Sequence, residues 1–254
     1  MAKMNYTDEE LIRRVCDVED IRDMMSKRSL YIAMGMRREE LRDFWVNQPE
    51  NINTASFGTN WGWYVGMQNI ADYYVVSFNE KLKKQLAAAH RADPTIEETE
   101  ENLGIGYFEG YPVSTPLIEL AEDGKTAQGM WYSMGQRTTL NEDGQTACAL
   151  WVYGRICVDF VKENGEWKIW HLLHINDIDG EVGTEFAALP VFPEKGSDPV
   201  EAEFGTPTIA MLTHDRTLNW ADGYPKQPKP YYSFYKEMSY GPEGFKKFVP
   251  GGIE

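Results

Sequence analysis

What is scarce in this sequence narrows its possibilities before any motif is read. Three cysteines, Cys16, Cys148 and Cys157, are an odd number with no CxxC pair among 254 residues. That excludes a disulfide scaffold and a paired-cysteine metal or redox site, and reduced thiols are the expectation. No run of eighteen uncharged apolar residues occurs, so no segment reads as a membrane-spanning helix. The opening MAKMNYTDEE has no apolar stretch of signal-peptide length, which predicts a cytoplasmic protein. Cationic side chains are outnumbered, with 25 Lys and Arg against 40 Asp and Glu, and the net charge is -15. That balance repels phosphate backbones and anionic lipid, disfavouring nucleic acid and membrane surfaces as partners and leaving small neutral or aromatic ligands. P-loop, HExxH and GxSxG motifs are absent, and GIGYFEG lacks the strand-turn-helix context of a dinucleotide site.

The residues that are present divide the chain by periodicity. Thr7-Asp8-Glu9-Glu10 reads as a capping box that opens a helix. Leu11, Ile12, Val15, Val18, Ile21, Met24, Met25, Arg28 and Tyr31 follow at spacings that predict one buried stripe. A short helix over 37–45 carries Leu41, Phe44 and Trp45, and Pro49 and Asn51 end it. After FGTNWGWYVG, read as an aromatic loop, residues 67–90 place Ile70, Tyr73, Tyr74, Phe78, Leu82 and Leu86 at helical spacing. From Ser114 the period becomes two, punctuated by Asp123-Gly124, Asp143-Gly144 and Asn164-Gly165. Such pairs favour tight hairpins and predict strands over 114–122, 125–141, 146–163 and 166–178. Helices followed by a meander specify an α+β fold, with helices covering one face of a curved antiparallel sheet. The expected division is a barrel domain over 1–180 and an extension over 181–254. Prolines and aromatic residues alternate in that extension, as an arm packed on its own domain or on a neighbouring subunit would require.

Tight turns fix register, so each strand residue can be assigned a partner and a face. Phe160 is expected opposite Ile169, Val158 opposite His171, Ile156 opposite Leu173, Gly154 opposite Ile175 and Val152 opposite Asp177. Across the preceding hairpin, Gly129, Trp131, Ser133, Gly135 and Arg137 fall opposite Val158, Ile156, Gly154, Val152 and Leu150. The glycines and Ser133 would leave this face short of side-chain volume, giving a pocket beside Trp131 and His171. His171 and His174 lie three apart in WKIWHLLHIND and must face opposite ways on a regular strand, which disfavours one shared metal. On this register His171 looks inward, either to a ligand or merely into the core, and His174 turns outward toward Arg155. Asp177 comes near Arg137 at the rim, as an ordinary ion pair or as part of the site mouth.

The segments IRDMMSKRSLYIAMG, DFWVNQPE, GWYVGMQNIADYY, IELAEDGKTAQGMWYS and VDFVKENGEWKIWH, in that order, resemble the SnoaL-like branch of the nuclear transport factor 2-like superfamily. The resemblance implies a cone-shaped α+β barrel around one pocket. It also implies acid-base proton transfer on cyclic or aromatic substrates without metal or organic cofactor, as in scytalone dehydratase, polyketide cyclases and ketosteroid isomerase. Two family positions differ: Ser29 and Met34 stand where a Tyr and an Asp are frequent, with Tyr31 nearby, and Tyr111 and Ser114 stand where a pocket His is frequent.

The resulting expectation is a cofactor-independent lyase or isomerase acting on a small aromatic or polycyclic substrate. His171 would be general base or acid, Tyr31 and Arg137 would stabilise or protonate an oxyanion, and Asp177 would orient a charged partner. Trp45, Trp61, Trp63 and Trp131 would wall the pocket, with Ser133 and Tyr111 touching substrate. No metal site is expected, and a homo-oligomer, dimer or trimer, is. The competing reading is a non-catalytic binding or assembly module using the same cavity.

Overall fold

The computed structural model describes residues 6–60, 62–183, 208–210 and 225–245. Helix α1 (Asp8–Ala33) begins at the capping box: Thr7 Oγ1 accepts from the Glu10 amide at 3.3 Å, and the Glu10 carboxylate accepts from the Thr7 amide at 2.8 Å. Its stripe is buried from Asp17 onward through Ile21, Met24, Met25, Arg28 and Ile32. Leu11, Ile12 and Val15 stay exposed instead, because the first turns meet the sheet through Arg14, which donates to the Leu120 and Ala121 carbonyls. Helix α2 (Arg37–Phe44) follows. The helix expected over 67–90 is α3 (Met67–Ala71), a π-helical turn (Asp72–Ser77) and α4 (Phe78–Ala92) in unbroken succession.

The aromatic loop is in fact a hairpin. Strands β1 (Ser56–Thr59) and β2 (Gly62–Val65) pair with each other, and β1 also runs parallel to the last meander strand. Gly58 makes the hairpin possible, since a methyl group there would lie 2.6 Å from Trp63 Nε1. Short strand β3 (Phe108–Gly110) precedes the meander of β4 (Val113–Leu120), β5 (Thr126–Leu140), β6 (Ala147–Glu163) and β7 (Glu166–Glu181); a two-residue β8 (Ile209–Ala210) pairs β2. The order is β3-β5-β6-β7-β1-β2-β8, with β4 also on β5, so the sheet is mixed and unclosed rather than purely antiparallel. α1, α2 and α3 to α4 lie against its inner face, where Trp45, Phe57, Tyr74, Trp131, Ile156, Phe160, Ile169 and Leu172 form the main core.

The expected β5 to β6 register holds throughout, from Gly129 opposite Val158 to Arg137 opposite Leu150. At the last hairpin Asn164 and Gly165 take φ of 51° and 86°, the left-handed pair that a tight primed turn needs, and Phe160 faces Ile169 as expected. One residue later the expectation fails. Trp170 is an extra residue in β7, so Asp159, not Val158, faces His171, and Ile156 faces His174. A bulge of this kind reverses the side on which every later side chain emerges. His174 and Leu172 therefore point inward, while His171, Leu173 and Ile175 point outward. A second irregularity between Tyr153 and Gly154 sets Asp177 out of step, and Gly154 is required where the strands close in: a methyl group there would sit 2.0 Å from the Ile175 carbonyl oxygen.

Residues 225–245 cover part of the outer face. Tyr231 and Tyr232 carbonyls accept from the Glu122 and Asp123 amides at 3.1 Å, and Tyr231 and Tyr240 are buried. Trp63, Cys157, Leu173, Ile175 and Tyr240 form a second, smaller core there.

Candidate functional site

Two polar constellations lie on opposite faces of β7. On the inner face, α1 supplies Arg28 and α2 supplies Glu40, both almost wholly buried and paired Nε to Oε1 at 2.8 Å. Trp45 Nε1 donates to the same Glu40 oxygen at 3.1 Å, leaving Oε2 buried with no partner among the described residues. A second buried pair, Arg37 with Glu109, is flanked by Tyr107, whose hydroxyl donates to Glu109 at 2.9 Å. β7 brings His174 to this interior, with the Tyr111 ring edge-on at 5.0 Å. Burial, and then the charges of Arg28 and Arg137, push the His174 imidazole from its usual 6.5 down to about 3. The ring is thus neutral at ordinary pH, and its Nε2 has no hydrogen-bond partner among the described residues. Ser133 Oγ is likewise buried and unpartnered there. Such orphaned atoms are uncommon in folded proteins and mark sites for a ligand or water.

The opposite face holds a closed cluster. The fully buried Asp159 carboxylate accepts from Gln128 Nε2 at 2.7 Å, from Ser239 Oγ at 2.8 Å and from the Tyr240 amide at 2.8 Å, and lies 2.8 Å from His171 Nδ1. His171 Nε2 is 3.1 Å from the Thr54 carbonyl oxygen, so both ring nitrogens face acceptors. Asp, His and Ser are together, but not as a hydrolytic relay: Ser239 and Asp159 lie at the same ring nitrogen, and the other nitrogen is taken by backbone.

These placements revise the expected site. His171 leaves the interior and His174 enters it, so the assigned roles of inward and outward histidine are reversed, although their opposition stands. The Asp177 carboxylate, expected near Arg137, makes a two-pronged pair with Arg155 at 2.9 and 2.6 Å. The Tyr31 hydroxyl lies 3.5 Å from Asp43 and its ring packs on Phe44 at 5.1 Å. Trp45, Trp131, Ser133 and Tyr111 are on the inner side, Trp63 is on the arm side against Tyr240, and Trp61 lies outside the described residues. Nor does the glycine floor stay open. A methyl at Gly129 would lie 2.3 Å from the Trp131 ring and one at Gly135 2.5 Å from the Tyr111 ring, so these glycines admit aromatic side chains. Arg28, Glu40 and His174 are the interior polar groups that sequence reasoning passed over. An arginine on an apolar helical stripe was the available signal for the first; nothing local marks the bulge that turns His174 inward.

The sequence matches the model of the SnoaL-like domain over residues 13–172. The chain belongs to that family. Solved structures similar to this SnoaL-like chain include a candidate scytalone dehydratase from Novosphingobium aromaticivorans, 13% identical over 72% of this chain and 97% of that one, with a TM-score of 0.44. A hexachlorocyclohexane dehydrochlorinase from Novosphingobium barchaimii is 11% identical over 70% and 99%, with a TM-score of 0.46. A protein of unknown function from Mycobacterium tuberculosis is 15% identical over 66% and 75%, with a TM-score of 0.42. No curated protein matches the chain. Membership of the SnoaL-like family is compatible with lyase or isomerase chemistry that needs no cofactor, and leaves substrate and reaction open.

Proposed function

We propose that this SnoaL-like protein is a lyase or isomerase that moves a proton on a small aromatic or cyclic substrate, with His174 as the proton-transferring group. The observation that carries the reading is the buried Nε2 of a neutral imidazole, without a partner among the described residues, beside two arginines. An anionic group of the substrate, a carboxylate or an enolate oxygen, would offset the charges of Arg28 and Arg137. His174 would then become a better base at the moment substrate is bound. Positive charge already in place is also what a developing oxyanion requires. Ser133 and Tyr111 would contact the ring of the substrate. Elimination of water or an enol-type isomerisation would follow from removal of a proton next to a carbonyl. Loss of formaldehyde would follow instead from removal of the hydroxyl proton of a hydroxymethyl group on the carbon next to the carbonyl, the broken C–C bond leaving its electrons as an enolate.

A panel of phenolic carboxylates and cyclic β-hydroxy ketones in deuterated water tests this, with deuterium uptake and product formation followed by NMR. Replacing His174 by Gln should lower turnover of any probe that reacts at least about a hundredfold. Turnover within a few fold of the unsubstituted protein would remove His174 from the chemistry. The second reading, a binding module, is favoured by Met34 at a position where the family often has Asp. A probe that raises the melting temperature, yet comes back unchanged and undeuterated, would support it.

A further inference from the structure

The side-chain pattern of β7 favours a register other than the one observed. Without the extra residue at Trp170, the strand would turn Trp167, Ile169, His171, Leu173 and Ile175 inward, a nearly continuous apolar face. The observed register gives up His171, Leu173 and Ile175 on that face for Leu172, His174 and Asn176, a net loss of one large apolar side chain. What compensates is outside the barrel: Leu173 and Ile175 are almost wholly buried by Trp63 and by Tyr240 of the arm. The Trp170 ring stacks on the His171 ring at 4.3 Å, and the Phe234 ring lies tilted against both, 5.0 Å from Trp170 and 6.2 Å from His171; Trp170 Nε1 donates to Thr54 Oγ1 at 2.9 Å. His171 is gripped beside Asp159, which accepts from Ser239 and Tyr240, and a methyl at Gly241 would lie 3.1 Å from the ring. Every arm contact on this stretch therefore acts on residues whose direction the bulge decides.

We infer that the arm segment from Phe234 to Gly241 is a latch that holds β7 in its bulged register and so keeps His174, rather than His171, turned to the barrel interior. Phe234, Ser239 and Tyr240 are positioning residues: they act through Trp170, His171 and Leu173. With the latch undocked, Leu173 and Ile175 lose the cover of Tyr240 and keep only that of Trp63. Slipping one residue then turns Leu173 and Ile175 inward in exchange for Leu172, and turns His174 out. The functional consequence rests on the proton-transfer role proposed for His174; the choice of register does not.

Cross-strand nuclear Overhauser contacts between β6 and β7 in the full-length chain read the register directly. The latched protein should give contacts between Ile156 and His174 and between Val158 and Leu172. The triple variant Phe234→Ala, Ser239→Ala, Tyr240→Ala should lose these and show Ile156 with Leu173 and Val158 with His171. Unchanged contacts in the triple variant would overturn the latch. Deleting Trp170 from the triple variant removes the extra residue, makes Asp159 opposite His171 the in-phase pairing, and should restore the first set of contacts. If the triple variant does not fold, a folded deletion variant with restored contacts supports the latch, and failure of both to fold overturns it. Turnover of the His174→Gln protein is a separate measurement, so loss of the catalytic reading leaves the register result standing.

Discussion

Replacing Asp159 by Ala tests how strongly the arm is held. The carboxylate is fully buried and has four partners at 2.7 to 2.8 Å: Gln128 and His171 from the sheet, Ser239 and Tyr240 from the arm. Each buried donor left without an acceptor costs about 1 to 3 kcal/mol, but water entering beside the arm and movement of Ser239 relieve part of that. Gln128 also keeps its bond to the Met238 carbonyl at 2.8 Å. The sum is therefore capped near the ~3 to 5 kcal/mol typical of breaking one side of a buried charged cluster. About 4 kcal/mol is expected, a large part of the ~5 to 15 kcal/mol that holds a domain folded. Urea unfolding followed by tryptophan fluorescence measures it. If the arm undocks before the barrel unfolds, the slope with urea also falls, because less surface remains to be exposed. A loss below about 1 kcal/mol with an unchanged slope would refute the view that Asp159 is the centre of the arm's attachment.

Protonation of His174 should couple stability to pH. Its folded value is depressed from 6.5 to about 3, so the unfolded chain binds the additional proton between those values. The His174 contribution is thus fully present above about pH 6.5 and is lost on acidification toward about pH 3, with a slope of at most about 1.4 kcal/mol per unit. Denaturation of His174→Gln at a series of pH values should lack that component; an identical pH dependence would mean that the imidazole is not held neutral by its surroundings. Gly135→Ala should destabilise by about 1 to 3 kcal/mol through overpacking, since the methyl meets both the Tyr111 ring and, at 2.6 Å, the Gly110 carbonyl oxygen. A melting temperature that stays put would show that Tyr111 has room to move aside.

Much of the architecture was legible because it depends on neighbours in sequence. The capping box at Thr7, the helical spacing from Ile21 to Arg28 and the turn at Asn164-Gly165 each carry their instruction within a few residues. The β5 to β6 pairing followed from turn position alone over its whole length. The hairpin at Ser56 to Val65 was missed because its strands are only four residues each, too short to establish a period, and because β1 owes its place to parallel pairing with β7 over a hundred residues away.

The sequence by itself determined the α+β class, the order of the helices and of the four long strands of the meander, and the opposition of His171 to His174, all consequences of local geometry and period. Which histidine faces inward was decided only in three dimensions. One inserted residue at Trp170 changes parity, and its stability depends on contacts with Thr54 and Phe234 far away in the chain. The same holds for the interior charges: Arg28 and Glu40 are twelve positions apart on different helices, and their pairing, like the arginine pressure on His174, exists only once helices and sheet have closed on each other.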